Sequence, residues 1–176
     1  NESARKKLEA LEAAGKTSRF RELFRPMSMV KDASPRRLHR KFVHEQEVVD
    51  LLRAIGGAAD EPGILPFLNY EKIVKGQMCR HLVCVLPYCA SCDALEALLT
   101  SDNISFGKLG EYKVINISGV EVKKGFVKIS DIARTISECE KQGIKTITLT
   151  VNRMLTGSTV PEWDTMLFLK DTSPTL

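Results

Sequence analysis

Four short apolar runs set the rhythm of the second half of the chain. His81–Pro87 reads H-L-V-C-V-L-P and Tyr112–Ser118 reads Y-K-V-I-N-I-S. Ile144–Val151 reads I-K-T-I-T-L-T-V, and Thr165–Lys170 reads T-M-L-F-L-K. Such runs, rich in β-branched residues, predict strands covered on both faces, as in a parallel sheet. Between them the spacing changes to that of a helix. Leu95, Leu98 and Leu99 make one apolar stripe in a helix that begins at Cys92-Asp93. Ile132, Ile136 and Cys139 make another over Ile132–Gln142, with Ser130-Asp131 as its cap and Gly143 as its stop. From His81 the order is strand, helix, strand, a variable basic segment over Val120–Lys128, helix, strand, loop, strand. That alternation predicts an α/β fold with a parallel sheet and right-handed crossovers.

The first half of the chain is less regular. Glu2–Ala14 is dominated by strong helix formers, and Gly15 is a natural stop. Pro26 breaks any long element in Phe20–Met29. Ser34-Pro35 opens a predicted helix that runs to Ile55 and carries Leu38, Phe42, Val49 and Leu52 inward, with Gly56-Gly57 ending it. Ala58–Gly63 reads as a loop, and Pro66 makes Ile64–Tyr70 irregular. Glu71–Met78 has room for one or two helical turns, and Ser101–Gly110 for a loop or short helix.

A length of 176 residues suits one domain with a helical extension. No apolar run reaches the roughly 20 residues that span a bilayer, so a cytoplasmic setting is expected. The first residue is Asn1 and the chain stops soon after a strand, so we expect a piece of something longer. The net charge is only +4 but is uneven, with Arg36, Arg37, Arg40 and Lys41 clustered. Clustered cations can neutralise phosphates, which makes nucleic acid a plausible partner. A solvated helix face explains the same cluster.

Several patterns tempt and are weighed down by their surroundings. Gly15-Lys16-Thr17 lacks the earlier glycine of a phosphate-binding loop, where Ala10 stands, and follows a helix where a strand is needed. His39 and His44 are five apart, which is not the spacing that puts two ligands on one helix face. Cys89-Ala90-Ser91-Cys92 lies between a strand and a helix, where a thiol's pKa can fall. Tyr88 stands where a redox motif would carry tryptophan, and no proline lies between Pro87 and Pro161. Zinc would need two further ligands, and Cys84 falls within a buried strand. Small buried residues in a reducing cytoplasm account for the pair, and Cys139 reads as core.

The loop Asn152–Asp164 carries the sharpest signal. Met154-Leu155-Thr156-Gly157 is followed by Thr159 and Pro161, between two buried strands. A loop at the carboxyl end of a parallel strand is where open α/β sheets bind ligands. This T-G-x-x-x-P arrangement resembles motif V of superfamily 2 helicases and translocases, above all the DNA-translocating subunits of type I and type III restriction enzymes. Thr159 stands where many members carry Asp, which keeps hydrogen bonding and removes a charge. The strand, proline and helix from His81 correspond in layout to motif IV.

The resemblance implies a RecA-like C-terminal lobe over residues 81–176, cut before motif VI, with residues 1–80 as a basic helical extension and interlobe segment. It implies that Ser118, Gly119, Thr150, Asn152, Arg153 and Thr156 face nucleic acid or the coupling path. Gly157 and Thr159 would face the nucleotide cleft. Arg153 has a second possible role as the partner of Glu162 or Asp164. The implied partners are double-stranded DNA and the first lobe of the same chain, with ATP and magnesium used by the parent protein. The Walker motifs and the motif VI arginines are not in this sequence, so the piece alone is expected to bind neither and to have no catalytic residue. Two other classes stay open: a non-catalytic nucleic-acid- or protein-binding module, and a thiol redox protein using Cys89 and Cys92.

Overall fold

The computed structural model describes residues 6, 20–32, 37–58, 61–65, 70–121, 128–151 and 160–171. Four strands form one sheet: β1 (His81–Val85), β2 (Lys113–Asn116), β3 (Thr146–Thr150) and β4 (Thr165–Phe168). Their order is β2-β3-β1-β4, and every pairing is parallel. The α/β parallel sheet predicted from the apolar runs is therefore present. Every residue of β1 and β3 is buried, whereas the outer strands β2 and β4 are partly exposed. Central strands need apolar or paired side chains on both faces, which is why these two runs lack alternation.

Among the described residues, five helices surround the sheet. They are α1 (Phe20–Leu23), α2 (Glu45–Gly56), α3 (Tyr70–Val74), α4 (Cys89–Leu99) and α5 (Ile129–Lys141), with 3-10 turns η1 (Leu38–Arg40) and η2 (Gly107–Glu111). Helices α4 and α5 cover opposite faces. Leu95, Leu98 and Leu99 of α4 join Leu82, Cys84, Ile147 and Leu149 in the larger core cluster. Ile132 and Ile136 of α5 pack with Ile115 and Ile117 instead. One connection leaves β1 for β2 and the other returns from β2 to β3, so right-handed crossovers put the two helices on opposite sides. Full burial of each of these leucines contributes about 1.5–3 kcal/mol.

The N-terminal segment shares this core. Phe24 and Phe42 meet edge-on, with ring centroids 5.8 Å apart at 74°. They are buried in the same cluster as Val48, Leu52 and Leu95. Ser91 Oγ donates to the Phe24 carbonyl at 2.6 Å, tying the start of α4 to the end of α1.

Three boundaries differ from the sequence reading. The long helix expected from Pro35 begins at Glu45. Arg37 takes a left-handed conformation (φ 50°), and Phe42 pairs with Pro26 in an isolated antiparallel bridge. The apolar spacing held across this region because Phe42 and α2 face one core, although they belong to separate elements. Helix α4 starts at Cys89, three residues before the expected Cys92. Helix α5 starts at Ile129 with Lys128 as its N-cap and no capping side chain, so Ser130 and Asp131 lie inside its first turn. Asp131 there still suits the positive end of the helix dipole.

The C-terminus of α5 is closed as predicted. Gly143 N–H donates to Glu140 C=O and Ile144 N–H to Cys139 C=O, with Gly143 left-handed at φ 72°. This is the Schellman pattern, which favours glycine at that position. The helix expected over Glu2–Ala14 lies outside the described residues apart from Lys6. No helix among the described residues is long and apolar enough to cross a membrane.

Candidate nucleic-acid interface

Strand β2 ends in Asn116, and the chain turns immediately afterwards. Asn116 Oδ1 accepts the backbone N–H of Gly119 at 2.9 Å and of Ser118 at 3.3 Å. Its amide nitrogen donates to Asp93 Oδ1 at 2.9 Å and to Glu96 Oε1 at 3.3 Å. Asp93 Oδ2 accepts the N–H of Val120 at 2.8 Å. The turn after β2 is thus strapped to α4 by one carboxylate and one carboxamide. A β-carbon on Gly119 would lie 2.0 Å from Asp93 Oδ1, so only glycine lets the turn come this close.

The turn also meets β3. Ser118 Oγ and Thr150 Oγ1 are 3.0 Å apart and hydrogen-bonded. Ser118, Gly119 and Thr150, three of the sequence candidates, therefore come together at the carboxyl end of the sheet. The remaining five, Asn152, Arg153, Thr156, Gly157 and Thr159, lie outside the described residues. So does the expected pairing of Arg153 with Glu162 or Asp164. Asp164 itself accepts the N–H of Arg80 at 2.9 Å and of His81 at 3.3 Å, at the opposite end of the sheet.

Sequence reasoning missed Asp93, Asn116 and Glu121. Asn116 was legible as the one polar residue inside V-I-N-I. Asp93 was read as part of a helix start, and nothing in the sequence says that its carboxylate is 3% exposed. Glu121 follows the turn by two residues and meets three basic side chains. Arg37 Nη1 is 3.6 Å and His39 Nε2 3.4 Å from Glu121 Oε1, and Arg40 pairs with Oε2. Of the basic cluster seen in the sequence, Arg37 and Arg40 border the turn after β2, and Arg36 lies outside the described residues.

The five cysteines are free thiols. Cys89 is exposed, and the other four are buried. Burial pushes the Cys84 thiol up to about 12 and raises Cys92 well above its ordinary value. Among the described residues, no three His, Cys, Asp or Glu side chains stand close enough to share a metal ion.

Cavities also open elsewhere among the described residues. One, of about 410 Å³, lies at the amino end of the strands between Met78, Arg80, Lys108, Tyr112 and Lys145. Its cations are already engaged: Arg80 pairs with Glu140, and Lys108 and Lys145 lie 3.5 and 3.7 Å from Glu111. Another, of about 470 Å³, runs along the outer edge of β2 under α5.

The chain is similar to a protein of Mycoplasma pneumoniae (strain ATCC 29342 / M129 / Subtype 1). That protein's name, itself an inference, describes the C-terminus of a type II restriction enzyme and methyltransferase, RM.MpnORF110P. The two are 30% identical over 152 residues, which is 86% of this chain and 20% of that protein. This chain therefore spans about a fifth of the length of the curated relative it matches. No family model matches the chain. No solved structure matches it either.

Proposed function

We propose that this chain is part of the second RecA-like lobe of an ATP-driven DNA translocase that serves a restriction-modification enzyme. The observation that carries the reading is the placement of the T-G-x-x-x-P sequence. Thr156, Gly157 and Pro161 follow directly on β3, a fully buried central strand, and lead into β4. Strand β4 pairs with β1 on the side away from β3. The loop thus leaves the carboxyl end of a central strand, which is where open parallel sheets bind ligands. The similarity to a protein named for restriction and methylation supports the same class of biology.

In this reading Ser118, which is partly exposed, presents its hydroxyl to DNA, and the buried Gly119 and Thr150 hold the turn behind it. Asn152, Arg153 and Thr156 extend that surface, and Gly157 and Thr159 face the nucleotide. ATP is the substrate of the parent protein, with magnesium and the Walker residues supplied by the first lobe. Phosphoryl transfer needs a positioned lysine, metal and arginine together, and this chain's described residues offer no such set. Its part is to grip DNA and to couple that grip to lobe closure.

The test is ATP hydrolysis by the full-length parent in magnesium, with and without double-stranded DNA. Stimulation by DNA is expected, and Gly157→Val in the same protein should abolish it while leaving the lobe folded. Turnover that ignores DNA, or normal turnover in Gly157→Val, removes the motif V assignment.

A second reading is favoured by the basic side chains around Glu121: a DNA-binding module with no motor. It expects tight, salt-sensitive binding by this chain and no nucleotide hydrolysis in the parent.

A further inference from the structure

We propose that Arg37, His39 and Arg40 form a phosphate site for the DNA backbone, and that Glu121 fills it when DNA is absent. The inference rests on DNA being the partner, as above, and adds where one phosphate is held and what must leave first.

Three basic side chains from one short stretch converge on a single carboxylate. Arg40 pairs with Oε2, while Arg37 at 3.6 Å and His39 at 3.4 Å approach Oε1. Carboxylate and phosphate make the same demand of arginine, a planar fork facing two oxygens. A surface clip needs one cation for one carboxylate. Here Asp32 engages Arg37 as well, through Nε at 3.3 Å, while Arg37 Nη1 still faces Glu121. With Glu121 withdrawn, Arg40 and His39 would be left without that carboxylate.

His39 supplies a second and independent sign. It is fully buried, and neither ring nitrogen has a hydrogen-bond partner among the described residues. Glu121 is near it without hydrogen-bonding geometry. A buried polar group without a partner is costly, so this ring has hydrogen-bonding capacity that an anion could use. A phosphate has more oxygens than a carboxylate and can reach His39 and both arginines at once. Arg37 and Arg40 remain half-exposed, with 57% and 41% of their side-chain surface open, so a backbone phosphate can approach over the floor that His39 forms.

The backbone beside these side chains is unusual as well. Asp32 and Arg37 both hold left-handed conformations, at φ 57° and 50°. Non-glycine residues in that region cluster at ligand clamps and switches. Glu121 lies two residues beyond Gly119, so lifting it would act directly on the turn that joins β2, α4 and β3. DNA entry and movement of that turn become one event.

The test uses this chain, a fluorescein-labelled mixed-sequence duplex and anisotropy across a range of KCl concentrations. Glu121→Gln should tighten duplex binding by roughly 5-fold or more, the lower end of ordinary coupling between competing sites. Arg40→Gln should weaken it and reduce the slope of log affinity against log salt by about 1. The gain from Glu121→Gln should vanish when Arg37 and Arg40 are both glutamine. Unchanged affinity and slope in a folded Glu121→Gln protein overturn the proposal. If that variant melts, an unchanged salt slope in Arg40→Gln overturns it instead. Inorganic phosphate, titrated while the His39 ring is watched by NMR, separates the two sources of the anion. A shift at low phosphate with no response to duplex overturns the DNA assignment. Hydrolysis in the parent reads the motor separately: tighter binding in Glu121→Gln with an inert parent keeps this site and removes the motor. DNA-stimulated turnover with no effect of Glu121 does the reverse.

Discussion

Asp93 Oδ1 accepts a hydrogen bond from Asn116 Nδ2 at 2.9 Å, and the other Asp93 oxygen accepts from Val120 N–H at 2.8 Å. The carboxylate is 3% exposed. It joins the first turns of α4 to the end of β2. Asp93→Ala leaves the partly buried Val120 N–H unpaired and Asn116 Nδ2 with only its longer bond to Glu96, and should cost about 1–3 kcal/mol. Asp93→Asn keeps the shape but turns one amide N–H toward a donor, so it should lose part of that amount. Urea unfolding midpoints check both. Hydrogen exchange at Val120 should quicken in either variant, and an unchanged Val120 amide would sink the strap.

Gly119 offers a sharper test of the same geometry. Its φ is not in the left-handed region, so any penalty for a side chain comes from contact alone. An added β-carbon meets Asp93 Oδ1 at 2.0 Å and Asn116 Nδ2 at 2.6 Å. Gly119→Ala should cost about 1–3 kcal/mol through overpacking. Combined with Asp93→Ala, the cost should be well below the sum, because the first obstacle is gone. Additive losses would place the strain elsewhere.

What the sequence showed and what it hid follow from the range of the interactions. Strands β1 and β3 were visible because their Val, Leu, Ile and Thr must be buried on both faces, and that demand is local; β2 and β4, expected to be covered on both faces as well, are partly exposed because they lie at the sheet's edges. The inner stripes of α4 and α5 were visible for the same reason. The start of α2 was not, because Arg37 and the Pro26–Phe42 bridge break a spacing that looks helical. The strap on the turn after β2 was hidden as well. Asp93 and Asn116 are 23 residues apart, and only the crossover from β1 to β2 brings them together. Ser118, Gly119 and Thr150 were singled out by resemblance, and the fold places them side by side.

Thiol chemistry should follow burial. Cys89 is exposed, whereas Cys79, Cys84, Cys92 and Cys139 are buried. Burial raises the Cys79, Cys84 and Cys92 thiols, which keeps them protonated and slow. Native protein treated with an aromatic disulfide reagent at neutral pH should release one equivalent quickly and the rest only on unfolding. Cys89→Ser should remove the fast phase. A second fast equivalent that is lost in Cys92→Ser would show that α4 opens in solution, and would reopen the redox reading of this pair.

At the amino end of the sheet, Glu140 faces His81 Nε2 at 2.5 Å and pairs with Arg80. His81 is buried, and its Nδ1 meets Thr146 Oγ1 at 2.9 Å. The hydrogen bond from His81, and then the Arg80 charge, hold the Glu140 carboxyl below its ordinary value of 4.5. A carboxylate depressed in the folded state binds protons more readily once unfolded. Its stabilising contribution is therefore complete above the ordinary value and is lost as pH falls through the depressed one. Glu140→Gln removes the charge at every pH. The gap in unfolding midpoint between parent and variant should be widest above the ordinary value of 4.5 and should narrow steadily as the pH falls below it. A gap that stays constant on acidification would mean that Glu140 contributes by packing alone and that the His81–Glu140 contact carries no proton-linked stability.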